Sequence, residues 1–229
     1  MHIEAAPSPN FDERPPGGPI DILLLHYTGM KSGPDALERP RDAKAKVSAH
    51  YFVEEDGRVF RLVEEGNRAW HAGAAYWAGA EDINARSVGI EIVNPGHEWG
   101  YRPFPEAQIE AVLHLCKDIV TRRAIPAARV LGHSDVAPER KEDPGELFPW
   151  ARLAEAGLAA PVYDGPPAPD LSREDCLAML KTIGYRVDDR GPAAALLAFQ
   201  RRCAPASLGK GLDPFTKAAI RACHDYCVK

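Results

Sequence analysis

The chain has 229 residues, of which 45% are hydrophobic and 27% charged, with a formal net charge of -5. That is enough apolar material for a substantial core. The acidic balance excludes binding nucleic acid through a basic surface and a polybasic membrane tether, and no run reaches the roughly 18 apolar residues of a membrane span.

The opening stretch, "MHIEAAPSPNFDERPPGGP", lacks the basic start and apolar centre of a secretory signal. The five cysteines, Cys116, Cys176, Cys203, Cys223 and Cys227, are odd in number and lack the short paired spacing of a metal finger. They read as small core thiols in a reducing compartment. Both features predict a cytoplasmic protein, or an exported one whose leader has been removed, and a monomer is expected.

"IDILLLHYTG" predicts a buried strand ending in a turn. "SAHYFVEEDGRVFRLV" is two alternating runs joined at Asp56-Gly57, a hairpin signal. "SVGIEIVN" is a further short strand. In "PEAQIEAVLHLCKDIVTRR" the residues Ile109, Val112, Leu113, Cys116, Ile119 and Val120 form a helical stripe, closed by arginines at the negative end of the helix dipole. "ARVLGHSD" gives one more strand. The segment from Ala160 to Asp170 carries four prolines and a glycine, a composition that breaks helix and strand. Beyond it, Ser172 caps a helix ended by Gly184, Pro192 opens a second, and Asp213 caps a third. The fold class is therefore α/β: a mixed central sheet flanked by helices, followed by a small three-helix domain. The expected division is residues 1–160, a linker at 161–170, and 171–229.

Three strand ends carry polar residues that a plain sheet would not need. His26 follows Leu25, Glu91 sits between Ile90 and Ile92, and His133 follows Gly132. Ligands in open α/β sheets gather at the carboxyl ends of strands. Catalytic zinc sites commonly use two histidines and a carboxylate, a set that His26, His133 and Asp143 can supply. Lys141, two residues before Asp143, would share its direction in an extended segment and could stabilise an oxyanion. Composition alone leaves the loop "GHSDVAPERKEDPG" open as either a metal clamp or an ordinary solvated loop. His50 and His71 are rival candidates, and His114 falls beside the helical stripe as a packing residue. His2, His97 and His224 read as exposed, and Asp135, Glu139, Glu142 and Glu146 as solvated surface. Replacing Glu139, Arg140 or Glu142 is expected to change little. Trp70, Tyr76 and Trp77 could face a groove or the core.

"LLLHYTG", "VSAHYFVEEDGRVFRLVEEGNRAWHAG", "NARSVGIEIVN" and "GHSDVAPERKEDPG" stand in the same order as the motifs of the zinc-dependent type-2 N-acetylmuramoyl-L-alanine amidases, and over roughly residues 20 to 150 the chain resembles that family. The resemblance implies hydrolysis of the amide between N-acetylmuramic acid, or its 1,6-anhydro form, and the L-alanine of the stem peptide. It implies one zinc ion on His26, His133 and Asp143, with Glu91 and Lys141 as catalytic residues. It places Trp70, His71 and Asn94 in the substrate groove, with peptidoglycan or muropeptide as the partner. A non-catalytic peptidoglycan receptor on the same scaffold is the alternative. "LKTIGYRVDD", "LLAFQRRC" and "LDPFTKAAI" resemble a three-helix peptidoglycan-binding domain.

Overall fold

The computed structural model describes residues 1–167, 171–188 and 191–228. Its strands are β1 (Ile3–Ala5), β2 (Phe11–Glu13), β3 (Ile22–Tyr27), β4 (Tyr51–Val53), β5 (Val59–Arg61), β6 (Asn67–Ala69), β7 (Ser87–Ile92) and β8 (Val130–Gly132). Six of them form a mixed sheet in the order β1-β5-β4-β7-β3-β8, and β2 pairs antiparallel with β6 alongside it. β4, β7, β3 and β8 run parallel, and β5 returns antiparallel to β4. The expected hairpin joins β4 to β5, with Gly57 at φ 87° where a left-handed residue is needed.

The helices are α1 (Gly33–Arg41), α2 (Ile83–Arg86), α3 (Gly96–Trp99), α4 (Glu106–Arg123), α5 (His133–Val136), α6 (Trp150–Glu155), α7 (Arg173–Ile183), α8 (Pro192–Cys203) and α9 (Pro214–Cys227). The caps read from the sequence are in place. Ser172 accepts from the Asp175 amide in a reciprocal capping box, Gly184 ends α7 at φ 136°, and Asp213 accepts from the Thr216 amide. His114 departs from expectation: it lies on the solvent side of α4 and bonds the Glu110 carbonyl.

Strand alternation sorts the core into two layers. Leu23 and Leu25 of β3 and Val88, Ile90 and Ile92 of β7 pack with α4 on one face. Ile22 and Leu24 point to the other face, where they join Trp77, Leu131 and residues of the last three helices, including Leu180, Tyr185, Phe199 and Ile220. The C-terminal helices thus complete the sheet's second face. The proline-rich segment is pinned near its start, where the Tyr163 amide donates to the Cys203 carbonyl at 2.8 Å; its last residues, Ala168, Pro169 and Asp170, lie outside the described residues. All five cysteines are free thiols, four of them buried. Among the described residues no helix is long and apolar enough to cross a membrane.

Candidate metal centre

The register of three parallel strands assembles the site. His26 pairs across the sheet with Glu91, and Leu25 pairs with Gly132, the residue before His133. Glu91, His26 and His133 therefore stand side by side at the carboxyl ends of β7, β3 and β8. Gly132 has a steric reason to be glycine, since a Cβ there would lie 2.8 Å from the Pro144 ring. The loop after α5 folds back so that the Ser134 amide donates to the Asp143 carbonyl at 2.9 Å. That contact carries Asp143 to the histidines across ten residues of chain.

Three ligand atoms converge. His26 Nδ1 lies 2.9 Å from His133 Nδ1 and 3.1 Å from Asp143 Oδ2, and the remaining edge is 3.0 Å. All three residues are buried. Two imidazole nitrogens and a carboxylate this close call for a cation, because lone pairs facing one another in a dry site repel. Burial lowers the His26 pKa to about 4, helped by the neighbouring His133 charge, so the ring is neutral near pH 7. Burial alone would raise the Asp143 carboxyl, but the charges and hydrogen bonds of His133 and His26 hold it well below the usual range.

Glu91 is the orphan of the site. Its Oε2 is buried with no hydrogen-bond partner. Burial, with the Asp143 charge second, pushes its pKa to about 8, and the Lys141 ammonium pulls against that rise. An unpaired buried carboxyl is costly and here faces a cleft, the usual signature of a group kept for chemistry. The cleft is about 650 Å³, and His26, His133, Asp143, Glu91 and Lys141 all line it.

The substrate-side expectations divide. Trp70 lines the cleft, with its indole N–H donating to Asp12 at 2.7 Å. His71 lines it and also touches His26 at 3.0 Å. Asn94 is buried and is not among the residues that line the cleft: its side-chain amide donates to the Arg102 carbonyl and accepts from the Gly96 amide, so it shapes the loop after β7. His50 belongs to a separate buried network in which it accepts from the Gly89 amide and meets Arg14.

Other residues carry more than their sequence context promised. Asp135, read as solvated, is buried, and accepts from the Gly132 amide at 2.8 Å and from the Tyr185 hydroxyl. Arg140, expected to be idle, reaches the carbonyls of Ala72 and Ala74 and packs against Gly73. His97 is exposed as expected, yet it lines the cleft beside Tyr27, bonding the Tyr27 hydroxyl at 3.0 Å and stacking on Tyr101 behind it. Trp99 also lines the cleft, and Lys31 sits 4.1 Å from the centre of its ring. Alternation in the sequence could flag Glu91; nothing local flags these residues, since their partners lie far along the chain.

The sequence profile of the N-acetylmuramoyl-L-alanine amidases matches residues 16–146. The N-acetylmuramoyl-L-alanine amidase AmiD of Escherichia coli K12 is 34% identical over 89% of this chain and 82% of its own length. The 1,6-anhydro-N-acetylmuramyl-L-alanine amidase AmpD of Haemophilus influenzae is 32% identical over 63% of this chain and 86% of its own. Among solved structures, E. coli AmiD in complex with anhydro-N-acetylmuramic acid-L-Ala-D-gamma-Glu-L-Lys superposes with a TM-score of 0.81 at 30% identity, covering 95% of this chain and 98% of that one. AmpDh3 of Pseudomonas aeruginosa in complex with anhydromuramic pentapeptide gives 0.80 at 31% identity, covering 95% and 96%.

Proposed function

The chain belongs to the N-acetylmuramoyl-L-alanine amidase family, and from that premise we propose a zinc-dependent mechanism in which Glu91 moves the proton and Lys141 holds the oxyanion. The reaction is hydrolysis of the amide between N-acetylmuramic acid, or its 1,6-anhydro form, and the L-alanine of the stem peptide. The converging donors of His26, His133 and Asp143 carry the reading.

The donor set fits zinc. Ligands about 2.05 Å from a tetrahedral ion stand roughly 3.3 Å from one another, close to the 2.9 to 3.1 Å edges of this triangle. When bound, zinc supplies Lewis acidity to the scissile carbonyl and to the attacking water.

The chain's own groups do the rest. Glu91, with a free carboxyl oxygen in the cleft, accepts the proton of the attacking water and delivers it to the departing alanine nitrogen. Desolvation makes the ionised Glu91 a stronger base than a carboxylate in water, which suits the first transfer, and the Lys141 charge favours that ionised form. Lys141 stands on the cleft wall with its charge felt at both Glu91 and His26, where it can stabilise the negative oxygen of the tetrahedral adduct. The Trp70 face and the Tyr27–His97 wall supply surfaces for the sugar and peptide.

Incubating the zinc-loaded protein with an anhydro-muramyl tripeptide and resolving the products by mass spectrometry tests this. Release of a free L-alanine-terminated peptide is the expected result. Zinc binding without turnover would favour a receptor, and release of acetate would place the chemistry at a different amide.

A further inference from the structure

Residues 71 and 72 touch both histidines of the metal centre. His26 Nε2 lies 3.0 Å from His71 Nδ1, and His71 Nε2 lies 3.3 Å from Ser87 Oγ. The Ser87 hydroxyl donates its one proton to the Ile83 carbonyl at 2.7 Å. Ser87 can then only accept from His71, so His71 carries its proton on Nε2 and presents a lone pair at Nδ1. That lone pair accepts from His26 Nε2–H, which leaves His26 Nδ1 bare and directed at His133 and Asp143. On the other side, His133 Nε2–H donates to the Ala72 carbonyl at 3.0 Å, leaving its own Nδ1 bare.

The segment is itself fixed. The amides of His71 and Ala72 both donate to Asn84 Oδ1, at 3.1 and 2.8 Å. β7 accommodates it as well. A Cβ at Gly89 would stand 2.7 Å from the His71 ring, so only glycine admits the ring there. Ser87, Gly89 and Glu91 share one face of β7, with successive tasks: anchoring His71, making room for it, and facing the cleft.

We infer that His71 is a positioning residue: through a one-way hydrogen-bond chain from the Ile83 carbonyl by way of Ser87, it locks His26 in the tautomer that offers Nδ1 to the metal. This rests on the proposed metal site and adds a role distinct from substrate contact. Partners of this kind are commonly worth 10- to 100-fold in metal affinity.

The test is zinc affinity, measured by competition with a chromophoric chelator on the full chain. H71A should bind about 10- to 100-fold more weakly than wild type. H71N, whose amide oxygen falls near the place of Nδ1, should recover most of that loss, as a role in sugar or peptide contact would not require. Equal affinity of H71A and wild type, or an H71N as weak as H71A, would overturn the inference. Should H71A fail to fold, 15N NMR of the zinc-loaded wild type decides. A through-hydrogen-bond coupling from His26 Nε2–H to an unprotonated His71 Nδ1 is expected, and a proton on His71 Nδ1 refutes the chain. If wild type binds no zinc at all, the metal site itself fails, an outcome separate from either of these.

Discussion

Asp135 and Arg202 meet at 3.3 Å in the interior, with side chains 0% and 3% exposed. Asp135 lies two residues after His133, and Arg202 belongs to α8, so the pair joins the metal loop to the C-terminal helices. Arg202 also donates to the Val130 carbonyl, and Tyr185 adds its hydroxyl to Asp135. Removing one member of a buried pair strands the other charge. R202M should therefore lower stability by about 3 kcal/mol, read as a shift in the urea midpoint. Because a buried pair can be replaced jointly at little cost, D135N/R202M should recover at least half of that loss. A double variant as unstable as the sum of the singles would show that the two residues do not act together.

Loss of a ligand should abolish metal binding outright. H133A and D143A are expected to bring zinc content measured by atomic emission from one ion per chain to near zero, with hydrolysis at background. Both proteins should still fold, because the core layers around β3 do not pass through the site.

E91Q separates chemistry from metal binding. It keeps the shape and removes the base, so zinc content should be unchanged while kcat falls at least about a thousand-fold, the upper range for a general base. The metal-free variant should also be no less stable than wild type to urea, since the carboxyl it replaces is buried without a partner at Oε2.

Glu65 predicts the acid limb of stability. Burial works against its charged form, but hydrogen bonds from Arg122, Arg123 and Tyr51 prevail and hold its pKa at about 2. A depressed carboxyl contributes stability that is fully present above its unfolded value near 4.5 and is lost as pH falls toward 2. With two half-exposed arginines as partners, E65Q should cost about 2 kcal/mol at pH 7. The gap to wild type should close between pH 4.5 and 2, and a gap independent of pH would assign the loss to packing instead.

His26, Glu91 and His133 were legible because each follows or interrupts a strong apolar run: LLL before His26, GI before Glu91, VLG before His133; Asp143 follows a charged run and stood out only through the family resemblance. The hairpin and the C-terminal caps were legible for the same local reason, as turn and cap residues act within four positions of themselves. What escaped depends on distant partners. Asp135 looks like any loop carboxylate until Arg202 and Tyr185 arrive from the last helices. Arg140 sits in a charged run, and only the fold shows that its guanidinium clasps the carbonyls beside His71. The three-residue strands β1 and β2 carry too little alternation to stand out. The bonds of Asn94 to Arg102 and Gly96 likewise depend on the bend after β7, which strand spacing does not reveal.

The sheet face that carries Ile22, Leu24 and Leu131 is covered by α7, α8 and α9, which follow every strand of the sheet along the chain. On the ribosome every strand of the sheet emerges before its cover does, and Asp135 must wait for Arg202. The loop that carries His133 and Asp143 therefore gains its buried support only after α8 has been made. Until the final helices close over the sheet, the nascent amidase carries a bare apolar face next to an incomplete metal loop, and that interval is when it most needs protection from aggregation.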